Sequence, residues 1–251
     1  MCLIDNESLS LLLRDFVAAE AQRLDEVYDW DIPDPWPTCA FERGSDSSAK
    51  ANIRLKRALS AAWHERPTDR ASIERWYVSN WGGVRANRDA TLAAYAASSD
   101  EELLRRGVVG VASWSKILVI RKPERYVIYD ARVGAALNAL QIVRGCGPPL
   151  LFPQVPSRNS VIRQYHTNET AMVAAASRVR SSQAYRTYLD LVTGVARQLN
   201  LEMLDTIEMA LFANAEKLAG EALARQQNAR IAGAQVRPFP AAPTHRRNTK
   251  S

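Results

Sequence analysis

With 251 residues, 47% of them hydrophobic, the chain can bury a continuous core, which excludes wholesale disorder. No apolar run of about 18 residues is present to span a bilayer, and the cysteines, Cys2, Cys39 and Cys146, lack the close spacing of a zinc or iron–sulfur site. Five basic residues and no acid follow Gln226, so this tail carries all but one unit of the net charge of +6 and the body is nearly neutral.

Taken in chain order, the pattern predicts an all-α protein. Leu9 to Val27 reads as an amphipathic helix that the prolines of Asp31–Pro37 must end, with Trp36 plugging the turn into the core. A basic helix is expected from Ala49 to His64 and another from Asp69 to Asn80, stopping at Gly82-Gly83. Thr91 to Arg106 reads as two helical pieces broken around Ser98–Asp100, where Ser99 and Glu102 have capping-box spacing.

Gly107 to Leu140 holds the most information. It parses as turn, helix, turn, helix: Ser113 is expected to cap the first helix, Lys122-Pro123 to end it near Arg121, and Asp130 to cap the second. A short strand at Tyr126–Tyr129 is the alternative for the connection. Gly145–Pro156 reads as a loop, followed by helices at Ser160–Val179, Gln183–Leu199 and Leu204–Gln226. Residues 226–251 are expected to form a disordered basic tail that adds salt-sensitive attraction to phosphate.

Glycines before a helix start turn backbone N–H groups in one direction, and the helix adds its positive end, so Gly110-Val111-Ala112-Ser113 can hold a phosphate. This segment resembles the hairpin of the helix-hairpin-helix DNA glycosylase superfamily, which includes oxoguanine, adenine-mismatch and alkylated-base glycosylases. There a hairpin of Gly-hydrophobic-Gly type opens a helix, and an aspartate follows at the start of the next helix. Gly110-Val111-Ala112 matches with alanine for the last glycine, and Asp130 lies 18 residues beyond Ala112, where the superfamily has nearly twenty. The likeness covers about Leu103–Leu140.

That resemblance implies a two-lobed helical domain over residues 1–225, with the hairpin at about 107–116 and Asp130 as the catalytic carboxylate. Double-stranded DNA is the implied partner, including phage DNA with modified cytosine; oxidised or alkylated purines are the other substrate class. No cofactor, metal, membrane or obligate protein partner is expected, and a cytoplasmic location is. A carboxylate suits base excision because cleavage develops positive charge on the sugar. Lys116, a nucleophile in the imine-forming alternative, stands only 14 residues before Asp130 and departs from the bifunctional pattern; it is expected near a phosphate or on a solvated helix face. Trp76, Tyr77, Trp81 and Trp114 are candidate walls for an extruded base, and Arg85, Asn87 and Arg132 candidate DNA contacts. His64, His166 and Glu208 are expected to be surface or satisfied core residues.

Overall fold

The computed structural model describes residues 6–37, 39–144, 149–172 and 176–235. The protein is mainly helical. Helix α1 (Asn6–Glu20) passes through a 3₁₀ turn into a short α2 (Leu24–Val27). The proline-rich turn follows, with Trp36 partly buried and edge-on to Phe41. Helix α3 (Ser48–Glu65) starts at Ser47, whose hydroxyl accepts the Lys50 N–H. Helix α4 (Arg70–Trp76) widens into a π turn, Tyr77–Trp81, in which the Gly82 N–H donates to the Tyr77 carbonyl. Helices α5 (Asp89–Ala97) and α6 (Asp100–Arg105) are separated at Ser98-Ser99, and the Ser99–Glu102 capping box forms as expected.

Helices α7 (Val111–Arg121) and α8 (Ala131–Arg144) are buried almost all round, so neither shows the one-sided apolar stripe of a surface helix. Helix α8 packs against the long α11 (Asp205–Gln235), with α9 (Ser160–Met172) and α1 alongside; α10 (Ala184–Gln198) packs against α1, while α3 and α4 pack against α7. This arrangement brings the starts of α7, α8 and α11 to a common region.

Several sequence expectations need correction. Ser113 does not cap α7: Gly110 adopts φ 71°, a left-handed conformation natural to glycine, and turns the chain straight into a helix that begins at Val111. Tyr126–Tyr129 is extended but pairs with no strand among the described residues. The helix expected through Val179 stops at Met172, and Ser177-Arg178 instead forms a strand, β2, parallel to β1 (Leu150-Leu151). Side-chain amides of α8 secure that loop: Gln141 exchanges hydrogen bonds with Leu150, and Asn138 with Phe152. At the other end, α11 continues through Gln235 instead of ending near Gln226, so the first part of the expected tail is helical. Residues 236–251, with Cys2 and Cys146, lie outside the described residues. Among those described, no helix is long and apolar enough to cross a membrane.

Candidate active site

The hairpin turn runs from Gly107 to Gly110, both at positive φ, with Val109 70% exposed at its tip. At the α7 start, the N–H groups of Gly110 and Ala112 have no backbone partner among the described residues. They are available to an anion at the positive end of an eleven-residue helix. The Tyr95 hydroxyl lies against the Gly110 Cα, where a side chain would overlap it. Gly110→Ala is therefore expected to cost about 2–4 kcal/mol, combining a left-handed alanine with displacement of a buried tyrosine. Urea denaturation of the variant checks this; unchanged stability would mean that the turn adopts another conformation.

Delivery of Asp130 depends on the extended segment before it, whose backbone groups must find partners without a sheet. Side chains supply them. Ser115 of α7 accepts from the Tyr129 N–H and donates to its carbonyl, while the Tyr185 and Tyr188 hydroxyls of α10 donate to Val127 and Ile128. Asp130 then caps α8 as expected: Oδ1 accepts the N–H groups of Arg132 and Val133, and Oδ2 is left over.

Asp130 faces a cleft of about 550 Å³ between the α7 start, the α8 start and Phe212 of α11. Gly110, Val111, Ala112, Ser113, Lys116 and Arg132 all line it, as do Arg85 and Asn87. The Ser113 hydroxyl is engaged by the Asn87 amide, which ties the hairpin helix to the segment before α5. Arg132 pairs with Glu216 and lies over the rings of Phe212 and Trp30. Together with Arg85 and Arg158 it gives the cleft a cationic border in a nearly neutral body.

Lys116 differs most from expectation. It is not on a solvated face: only 3% exposed, it is packed against Gly82 so closely that a Cβ there would overlap its Cε, and its amine donates to the Ala112 carbonyl at 2.8 Å. Burial lowers its pKa, against the opposing influence of the Asp130 and Glu208 carboxylates. The hairpin helix thus brings a buried amine and Asp130 to one cavity.

The aromatic candidates divide. Trp114 is fully buried, its indole N–H donating to the Val109 carbonyl and its ring against Tyr185, so it supports the hairpin from within. Trp76 donates to the Pro35 carbonyl, and Tyr77 stacks on Trp81 at 4.3 Å inside the core. None of these three lines the cleft. Trp81 alone reaches its inner end, oriented by a hydrogen bond to Asn52. The walls that the sequence reading missed are Trp30, which lies just before the proline-rich turn, and Phe212. They meet edge to face at 5.2 Å, with the Trp30 indole N–H donating to the Trp81 carbonyl. Phe212 follows Glu208 by one helical turn on α11, a spacing that could have flagged the pair.

Glu208 is a buried, paired core residue as expected, and it also borders the inner end of the cleft. Lys56 of α3, wholly buried, reaches it at 2.8 Å and Asp205 at 3.5 Å. Burial works against the charge on Lys56, but the two carboxylates outweigh it and hold the amine well above its ordinary range. Two carboxylates share this one ammonium, and burial pushes the Glu208 pKa upward.

Comparison with family models, curated proteins and solved structures finds no match. A second cavity, about 400 Å³, lies at the far end of α7 beside Trp63. There Arg121 engages Glu74, Asp100 and the carbonyls of Tyr95, Ala96 and Ser98, closing the end of α5. Of the histidines, His64 lines this second cavity and contacts the Arg121 carbonyl, and His166 is half-buried near Glu169.

Proposed function

We propose that the chain is a DNA N-glycosylase that hydrolyses the bond between a modified base and deoxyribose, with Asp130 as the catalytic carboxylate. The observation carrying this reading is the shared cleft, in which a hairpin suited to phosphate, the unused oxygen of Asp130 and a cationic border come together. Its volume, about 550 Å³, lies in the range of small-molecule sites, on the order of 300–1,000 Å³. Aromatic faces at Trp30 and Phe212 would flank an extruded base, while Arg132 and Arg85 would meet phosphates. Stabilising positive charge on the sugar requires a carboxylate and no cofactor.

The test incubates the protein with duplexes holding oxidised or alkylated purines and with phage DNA carrying hydroxymethylated or glucosylated cytosine, then heats in alkali. Breaks at abasic sites are the expected result. Binding without breaks on every substrate would leave a helical DNA-binding module in which Asp130 only caps.

Lys116 supports a second reading because burial favours its free amine beside Asp130. As nucleophile it would form an imine with the sugar that borohydride reduces to a permanent link. Its hydrogen bond to Ala112 directs the amine back along its own helix, which favours hydrolysis. The expected outcome is no trapped adduct and a strand intact until heated, with Lys116→Ala only partly active. An adduct that disappears in Lys116→Ala would transfer the nucleophilic role to the lysine.

A further inference from the structure

Behind the cleft lies a narrow recess of about 20 Å³, bordered by Tyr28, Trp81 and Ile128 and by the ionisable groups Lys116, Asp130 and Glu208. A space of this size is too small for a nucleobase but sufficient for one water, which needs about 10–15 Å³ and two to four polar partners. We propose that the recess holds a single ordered water and that Glu208 is the positioning residue that orients it beside Asp130 for attack on the sugar.

The hydrogen-bonding capacity fits. Asp130 uses Oδ1 for its cap and keeps Oδ2. Glu208 receives Lys56 on Oε2, and Oε1 has no hydrogen-bond partner among the described residues. Lys116 gives one proton to the Ala112 carbonyl and has others to donate. A water whose two protons are accepted by carboxylates is left with oxygen lone pairs for a donor and for an electrophilic carbon. Lys116 and Asp130 border both spaces, as do Trp30, Gly82 and Phe212, so the water lies directly behind whatever occupies the cleft.

In the resulting step the water oxygen bonds to the anomeric carbon as the carbon–nitrogen bond breaks. The base leaves with that electron pair and takes a proton from solvent, while the proton lost by the water passes to the free oxygen of Asp130. Lys56 fixes the orientation of the Glu208 carboxylate from the far side.

This inference rests on the glycosylase reading, and its test separates the two. A crystal structure of the full chain at a resolution that shows waters is expected to place one within hydrogen-bond distance of Asp130 and Glu208. On a substrate that the wild type cleaves, Glu208→Gln is expected to lower kcat by about 10²-fold or more with KM and DNA affinity unchanged. If glutamine disturbs the fold, methanol competition on the wild type gives an independent readout. A one-water recess yields only the hydrolytic product, whereas a nucleophile drawn from bulk solvent yields methyl deoxyriboside as well. Absence of the water, full activity in Glu208→Gln, or methyl deoxyriboside from the wild type would overturn the inference. A wild type that binds the water yet releases no base from any DNA would overturn the glycosylase reading, and the role of Glu208 with it.

Discussion

Lys56→Met is expected to destabilise the protein by about 3–5 kcal/mol, the largest stability effect of any single substitution considered, because it leaves Glu208 and Asp205 buried without their cation. Methionine fills the same space, so lost packing would contribute little. Much of the cost should be recovered by adding Glu208→Gln and Asp205→Asn, since removing all three charges also removes their desolvation. Urea unfolding of the single and triple variants measures this, and the triple variant serves only as a stability control. The contribution also has a pH signature. An amine whose folded pKa is raised gives full stability below its unfolded value, near 10.5, and loses it as pH climbs through the folded one. Wild-type stability from this cluster should therefore hold across neutral pH and fall only in strong alkali. A Lys56→Met protein as stable as wild type would show that the ammonium does not compensate the two buried carboxylates.

Asp130→Asn carries the largest expected effect on activity. Asparagine has an oxygen in the Oδ1 position and can accept the Arg132 and Val133 N–H groups, so the cap and the start of α8 should persist. On the proposed reading, the lost feature is negative charge next to the developing oxocarbenium ion and a base for water. Base release is expected to fall by about 10²- to 10⁴-fold, with unfolding midpoint and DNA affinity close to wild type. Single-turnover assays alongside binding isotherms make the comparison. Retained activity would remove Asp130 from the chemistry and leave it as a cap; a parallel loss of binding would assign it to holding the DNA.

The legible parts of this protein were those that depend on neighbours in the chain. Capping at Ser99 and Asp130, the hairpin glycines and the proline-rich turn act over a few residues, and their patterns are local. The Ser113 expectation failed for a local reason too: serine is a good cap, but a glycine three positions earlier could begin the helix sooner. What could not be read is long-range. Lys56 finds its acids about 150 positions away, and nothing around it distinguishes a buried lysine from the exposed ones beside it. Lys116 lies on a helix buried on every side, where polar residues no longer mark a solvent face. Trp30 and Phe212 come from opposite ends of the chain, so a wall made of both has no signature in either segment.

The length of α11 sets a distance between the cleft and the basic residues that follow the helix in the sequence. From Phe212 to Gln235 the helix rises about 35 Å at 1.5 Å per residue, close to one turn of B-form duplex. The cationic residues Arg237, Arg246, Arg247 and Lys250 follow that helix in the sequence. If the protein binds DNA as proposed and these residues add phosphate contacts, shortening α11 by whole helical turns should shift one edge of the protected footprint while leaving the cleft intact.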